Sequence, residues 1–498
     1  MTTEFWLNDQ LISTDASPGL LLLDFLRKNA RLTGTKEGCK EGDCGACAVL
    51  VGELVEAGDG QKAYVDYKPV TSCLVPLGEL QGTHVVSIEG VNMDQLSPVQ
   101  QSMVDFGAAQ CGYCTPGFIV SMSWYLMAER GEPTRAGMQR AISGNLCRCT
   151  GYEAINRAGD QLIERFGKGG EWAEIWQAGE RVAALVQARM LPAYFGEMAE
   201  RLGKIERPEV SLGGNPVDYF VAGGTDLYVQ QGEKIPDASV KILNHFGRKI
   251  AGKFQKMRGI RAVGGDLHVG ALTTFEDFGA DPQVQKFIPS IAQDLHLIAS
   301  LHLRNRATLG GNIVNASPIG DMSNYLLGLG AKLILSNGKD ERTVAMKDFF
   351  LAYKVIDKRA DELIVEIVIP GAVAAESKGD TRVNFEKLSK RTALDIATVC
   401  SGFRCKATAD GVIEEVGISM GGVAATPLFL QKTCDYLVGK TISPEVLQKA
   451  CQIAMGEATP IGDVRGSADY KRLLVRQFMI AHFIETYPER VRFEEFAS

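Results

Sequence analysis

Gly38-Cys39-Lys40-Glu41-Gly42-Asp43-Cys44-Gly45-Ala46-Cys47 sets three thiols within ten residues, and Cys73 follows after 25 intervening positions. The spacing C-x4-C-x2-C…C is that of a plant-type [2Fe–2S] loop. Three thiolates from one short loop reach two irons only if the backbone curls tightly. Gly38, Gly42 and Gly45 permit positive φ and bring amide N–H groups close to sulfur. The fourth ligand then comes from a distant segment, here Pro69-Val70-Thr71-Ser72-Cys73-Leu74. A four-cysteine zinc site favours two C-x2-C knuckles, which this stretch lacks. Around the loop, residues 4–90 read as a small β-rich module, with apolar runs at 48–51 and 84–88 and one helix over 20–29.

A second set of thiols follows. Gln110-Cys111-Gly112-Tyr113-Cys114-Thr115-Pro116-Gly117 opens an apolar stretch, 118–127, that reads as a buried helix. With 32 residues between Cys114 and Cys147, the next pair lies in Asn145-Leu146-Cys147-Arg148-Cys149-Thr150-Gly151. Ser97-Pro98 supplies N-cap and first-turn chemistry for an earlier helix, so residues 91–165 read as helical. Two thiol pairs at helix ends can converge between antiparallel helices, and helix N-termini favour thiolate. On spacing alone zinc stays open here beside a second iron–sulfur cluster.

The whole chain has 498 residues, enough for three or four domains. Its 45% hydrophobic and 23% charged content excludes disorder and collagen-like structure. Residues 1–150 hold eleven Lys/Arg against seventeen Asp/Glu, and eight of the twelve cysteines. A nucleic-acid binder would show a basic stripe instead. The segment Met1 to Gln10 lacks a basic signal-peptide region, and no run of about 18 apolar residues occurs, so a cytoplasmic chain with unpaired thiols is expected. Residues 166–205 carry Trp172, Ile175, Trp176, Val182, Leu185 and Val186 at helical spacing and read as a linker helix packed on a neighbour. Strands and helices alternate from about 206 to 375. Residues 380–486 read as three strands, two of them near 393–405 and 412–420, and a helix near 444–457.

Neither a G-x-G-x-x-G fingerprint nor a P-loop is present. Two other glycine turns stand out. Phe220-Val221-Ala222-Gly223-Gly224-Thr225-Asp226-Leu227 follows an apolar strand and can present backbone amides to a diphosphate. Thr308-Leu309-Gly310-Gly311-Asn312 leads to Ser317-Pro318 and Asp321, combining an anion-binding turn with a Ser–Pro helix start whose free N–H groups point at one place. Asp321 is placed to bond polyol hydroxyls. The plain reading of each is an ordinary turn. Cys400, Cys405, Cys434 and Cys451 read as small buried hydrophobes. His84, His245, His268, His296, His302 and His482 show no metal-binding spacing and are assigned to surface or core.

The tandem cysteine sets, Cys39, Cys44, Cys47 and Cys73 followed by Cys111, Cys114, Cys147 and Cys149, resemble the molybdenum hydroxylase family. Both glycine turns resemble the FAD-binding domain of its xanthine dehydrogenase branch. The resemblance implies a multidomain α+β chain: a β-grasp [2Fe–2S] ferredoxin-like domain (1–90), a helical [2Fe–2S] domain (91–165), a linker (166–205), a non-Rossmann α+β FAD domain (206–375) and an α+β C-terminal flavoprotein domain (376–498). It implies two [2Fe–2S] clusters and FAD, with NAD+ as acceptor. By the same resemblance Thr308, Gly310, Gly311, Asn312, Asp321, Ile364 and Lys387 match FAD contacts, and Gln110 matches a position touching the pterin. Without the resemblance, Lys387 reads as a solvated surface cation and Gln110 as a helix-capping amide. Ile298 stands where some relatives place an aromatic against the flavin. The chain stops short of a molybdopterin portion. The implied partner is therefore a large molybdopterin-binding subunit, in a heterotetramer of two αβ units that hydroxylates a purine, an aldehyde or an N-heterocycle. A non-catalytic zinc scaffold is the contrasting expectation.

Overall fold

The computed structural model describes residues 2–56, 62–129, 131–207, 209, 217–243, 250, 252–372 and 380–496. It divides into two compact units, Met1–Gly252 with Ser300–Arg306, and Lys253–Ala299 with Ala307–Ser498.

The first unit begins with a five-stranded mixed sheet made from β1 (Thr3–Leu7), β2 (Gln10–Thr14), β3 (Ala48–Val55), β4 (Tyr64–Thr71) and β5 (His84–Val86), in the order β2-β1-β5-β3-β4. Only the β1–β5 pair is parallel, which gives a β-grasp arrangement. Phe5, Val49, Val51, Val70 and Val85 point to one buried face, as strand alternation requires. The helix expected over 20–29 is one α-turn, Leu22–Asp24, running into a π-turn, Phe25–Asn29. The wider turn leaves Leu22, Leu23, Phe25 and Leu26 all buried.

Helices Pro98–Asp105, Thr115–Ala128, Arg135–Ala141 and Glu153–Phe166 follow. Ser97 caps the first through a reciprocal box with Gln100. Thr115–Ala128 is buried over almost its whole length, from Gly117 to Met127, and Trp124 Nε1 donates to the Tyr67 carbonyl of β4 at 2.8 Å. The sheet and this helix therefore share one core, which includes Leu50, Val86, Phe118 and Trp124. The single linker helix does not form. Ala178-Gly179 and Pro192 break it into Ala173–Gln177, Arg181–Gln187 and Met198–Gly203, yet Trp176, Leu185 and Phe195 are buried in that core. The unit is completed by β6 (Tyr219–Val221) parallel to β7 (Val240–Ile242), and by the short helix Leu301–Arg304.

The second unit holds two antiparallel sheets and a hairpin. Strands β8 (Ile260–Val263), β9 (Asp266–Gly270), β10 (Lys332–Ser336), β11 (Glu341–Ala345) and β14 (Leu363–Ile369) run in the order β11-β10-β14-β9-β8, with β12 (Phe350–Ala352) and β13 (Val355–Ile356) as the hairpin. Then β15 (Asp380–Leu388), β16 (Val399–Ala407), β17 (Ile413–Gly421) and β18 (Leu428–Phe429) form a sheet with helices Gln431–Leu437, Pro444–Glu457 and Ala468–Thr486. The strand expected from 393 starts only at Val399, because Asp395 ties the chain into a loop by accepting from Arg391 N at 2.9 Å. Ser317-Pro318 does not start a helix either. Ser317 makes a turn, and the helix begins at Asp321 with Gly320 as its cap. The expected boundary at 376 and His245 lie outside the described residues.

Candidate redox centres

In the first thiol loop, Lys40, Gly42 and Gly45 take positive φ, which folds the backbone back on itself. Glu41 N and Cys44 N each donate to Cys39 Sγ at 3.4 Å. The neighbouring Cys44 thiol, and after it these amides, bring the Cys39 thiol down to about 5, whereas Cys44 is pushed up. Cys47 Sγ lies 3.4 Å from Cys73 Sγ, both sulfurs buried. The four sulfurs therefore meet as Cys39 with Cys44 and Cys47 with Cys73.

The second set pairs in the same manner. Cys149 Sγ is 3.2 Å from Cys111 Sγ on an exposed surface, and Cys114 adjoins Cys147. Thr150 Oγ1 lies 3.0 Å from Cys147 Sγ. Burial raises the Cys147 thiol, but the Thr150 hydroxyl and nearby amides outweigh it and hold the group at about 7. Sulfurs in pairs suit a two-iron cluster, in which each iron takes two thiolates, better than a zinc tetrahedron, in which four sulfurs surround one ion.

The two thiol loops touch. Leu146 N donates to Cys44 O at 2.9 Å, and Asn145 Nδ2 donates to Gly45 O at 3.1 Å. A side chain at Gly45 would sit 2.2 Å from Gly144 O, so only glycine fits there. Asn145 Oδ1 also accepts from Ser121 Oγ at 2.7 Å, and that hydroxyl meets His302 Nε2 at 2.8 Å. Asn145 stands out in the sequence only as a neighbour of Cys147, and Ser121 and His302 carry no local signal, because their partners lie 24 and 181 residues away. Gln110 is exposed and does not cap the following helix, whose N-cap Cys114 accepts no side-chain bond.

The predicted flavin residues fall in both units. In the first unit, Phe220 and Val221 end β6, and Ala222-Gly223-Gly224-Thr225-Asp226 turns into the helix Leu227–Gln231. Gly224 has φ +72°, and a Cβ there would meet the Tyr228 ring at 2.9 Å, so the close turn requires glycine. In the second unit, Thr308 caps the helix Leu309–Asn315 by accepting from Gly311 N at 3.1 Å. The expected cluster of free amides is absent from this turn. Leu309 N and Gly310 N donate to Thr273 O and Ala271 O at 3.0 and 2.8 Å, and Gly311 N is the one held by Thr308. Asn312 Oδ1 accepts from Ser323 N and Ser323 Oγ at 2.9 and 2.8 Å, holding the first turn of the helix Asp321–Gly328.

Lys387 is not a solvated cation. Its side chain is 1% exposed, and Nζ donates to Asp321 Oδ2 at 2.7 Å, Leu297 O at 2.8 Å and Asp395 O at 2.9 Å. These three acceptors use all three of its protons. Asp321 keeps Oδ1 buried without a hydrogen-bond partner of the ordinary kind, with the Cys400 thiol beside it. Burial pushes the Asp321 carboxyl up while Lys387 opposes the rise. This spare acceptor suits a hydroxyl donor. Ile298 and Ile364 are 2% and 4% exposed within the apolar core of their unit.

Four domain models match the chain in succession. A 2Fe-2S iron-sulfur cluster binding domain matches residues 6–77, and a [2Fe-2S] binding domain matches 87–160. An FAD binding domain in molybdopterin dehydrogenase matches 204–372, and a CO dehydrogenase flavoprotein C-terminal domain matches 385–486. Two models of [2Fe–2S] type and two of flavoprotein type thus match successive parts of the chain. It is 27% identical to Aldehyde oxidase 1 of Bos taurus over 97% of its own length and 39% of that protein. It is 28% identical to Xanthine dehydrogenase 1 of Arabidopsis thaliana over 94% of its length and 38% of that protein. The chain thus spans about two-fifths of the curated relatives it matches. A carbon monoxide dehydrogenase chain from Hydrogenophaga pseudoflava aligns over 55% of this chain and 90% of its own, at 28% identity and a TM-score of 0.49. The chain is multidomain α+β, and its matched domains are ones described as binding [2Fe–2S] clusters and FAD. Among the described residues no helix is long and apolar enough to cross a membrane.

Proposed function

We propose that the chain is the electron-transfer part of a xanthine dehydrogenase. It would take electrons from a molybdopterin centre in a large partner subunit and deliver them to NAD+ during purine hydroxylation. Cys111, Cys114, Cys147 and Cys149 would hold the receiving cluster, and Cys39, Cys44, Cys47 and Cys73 the next. The first glycine turn, with Thr308, Gly310, Gly311, Asn312, Asp321, Ile298, Ile364 and Lys387, would hold FAD. Bound clusters supply single-electron steps and the flavin joins two of them.

The observation that carries this reading is a gradient of burial within one unit. Cys111 and Cys149 are exposed, where a partner can approach. Cys47 and Cys73 share a buried apolar group with Val221 and Tyr228, which flank the first glycine turn. Between them stand the contacts of Leu146 with Cys44 and Asn145 with Gly45. The chain's own residues hold sulfurs in pairs, donate amides to them and keep water from the inner pair. Lys387 fixes Asp321 and the carbonyls of Leu297 and Asp395 around the expected flavin position in the second unit.

Aldehyde oxidation by the same electron route is a second reading, favoured by the similar identity to the Bos taurus aldehyde oxidase. The purified chain should be brown-yellow and show two distinct iron–sulfur EPR signals after reduction. A colourless protein with stoichiometric zinc would overturn the redox reading. NADH oxidation with an artificial acceptor tests NAD+ as the partner of the flavin half. A substrate panel on the complex with its large subunit separates purine from aldehyde.

A further inference from the structure

Glu79 and Arg306 form an ion pair in which both side chains are 0% exposed. Arg306 Nη1 donates to Glu79 Oε1 at 3.1 Å and Nη2 donates to Oε2 at 2.8 Å, a two-pronged geometry. Nη2 also donates to the Gly223 carbonyl at 2.8 Å. One guanidinium therefore joins three segments that are far apart in the chain: the turn six residues beyond Cys73, the first glycine turn, and the segment Ser300–Arg306. Besides the His302 contact with Ser121, that segment has two more holds on the iron–sulfur modules. Asn305 Nδ2 donates to Pro69 O at 3.0 Å, and Leu303 packs so closely on Gly42 that a Cβ there would lie 2.7 Å from Leu303 Cδ2. Gly42 lies inside the first thiol loop, between Cys39 and Cys44.

A buried charged pair is a poor way to gain stability, because desolvation offsets most of the attraction, but separating its partners is costly, which favours the arrangement that keeps them together. Resting on the iron–sulfur/flavin function proposed above, we infer that Arg306 is a positioning residue. With Glu79 it sets the first glycine turn in register with the ferredoxin-type cluster, and so sets the rate of single-electron exchange between that cluster and FAD. Arg306 touches neither cofactor in this role. It acts through the Gly223 carbonyl on one side and the Cys73 segment on the other.

The test uses the full-length holoprotein as wild type, Arg306→Leu, Arg306→Lys and the paired change Arg306→Met with Glu79→Leu. The paired variant removes both charges and so leaves no unpaired ion to unfold the chain. FAD and iron contents, both cluster EPR signals, the melting temperature and the rate at which electrons admitted at the flavin by a pulse of small-molecule reductant reach the clusters are measured. The expected result for the paired variant is near-normal melting, both EPR signals intact and exchange slowed by about tenfold or more. Arg306→Lys should recover only part of the rate, since an ammonium cannot fork. Selective loss of FAD with both EPR signals intact would support the same role, because Gly223 is then freed. A paired variant with full cofactors and a wild-type exchange rate overturns the inference. A wild-type protein lacking clusters and flavin would instead overturn the functional reading beneath it.

Discussion

The two thiol sites hold the same number of sulfurs and differ in their outermost members. Cys39 and Cys44 of the first are half-buried and Cys147 of the second is buried, but one pair in each stands apart. Cys47 and Cys73 are 2% and 1% exposed, packed with Leu21, Leu23 and Leu74. Cys111 and Cys149 lie open on the surface, with Tyr113 and Leu146 exposed nearby. The first site is built by a curled loop whose amides reach sulfur, the second by helix ends and a short Cys147–Thr150 turn. The contrast separates two tasks that cysteine spacing cannot tell apart. A redox centre meant to exchange with a separate protein needs an exposed edge, and one that passes electrons inside the chain is protected by a dry surround.

The largest effect should come from breaking one site and sparing the other. Cys73→Ala should abolish one iron–sulfur EPR signal and leave the second, and Cys111→Ala should do the reverse. Chelators or mild oxidants should strip the exposed site first, followed by visible absorbance and iron release. Simultaneous loss of both signals in either variant would mean that the sites are not separate. Next in size is the brace beneath the buried site. Arg306→Leu removes the buried guanidinium that forks onto the buried Glu79 carboxylate and should cost about 3–5 kcal/mol in chemical denaturation.

The difference between the sites also explains what the sequence could reveal. The ferredoxin-type loop was legible because all its constraints are local: three thiols and two obligatory turns fall within ten residues. The helical site left zinc open because its decisive feature, pairing of Cys111 with Cys149 across 38 residues, belongs to tertiary structure. The same limit hid Arg306, because its partner Glu79 stands 227 positions away in the chain. Lys387 misled by composition alone, since three acceptors from separate loops keep it buried. At Thr308 to Asn312 the motif was visible but its amides were assigned to a ligand. The structure spends them on Thr273, Ala271 and Thr308 instead. In 166–205 the helical periodicity was real, and Ala178-Gly179 and Pro192 cut it into pieces that still bury the predicted Trp176 and Leu185.

His302 sharpens the comparison through pH. It is fully buried behind the junction of the two loops, and burial lowers its pKa to about 4. The group is thus depressed in the folded state relative to about 6.5 in the unfolded chain. Its neutral form contributes full stability above about pH 6.5, and that contribution is lost as pH falls towards about 4, because the unfolded chain binds the proton first. The swing should approach about 2–3 kcal/mol. His302→Gln keeps an amide towards Ser121 Oγ without a titrating ring and should flatten the stability profile between pH 6.5 and 4. An unchanged profile would mean that His302 does not report on the junction.

Ser97 offers the smallest and cleanest contrast, because it lies in the helical half away from any thiol. Its hydroxyl accepts from Gln100 N at 3.3 Å, and Gln100 Oε1 returns the bond by accepting from Ser97 N at 2.8 Å. Ser97→Ala removes one arm of this box and should cost about 1 kcal/mol. The helix it caps, Pro98–Asp105, packs on Glu153–Phe166 through Ser102 Oγ, which donates to the Ala158 carbonyl at 2.8 Å. Glu153–Phe166 starts just beyond the Cys149-Thr150-Gly151 turn. A loss confined to thermal stability, with both EPR signals unchanged, is expected if the exposed site is set by its own local turn. A shift in the signal of the exposed site alone would show that this site leans on helix packing, whereas the buried site is held by its loop.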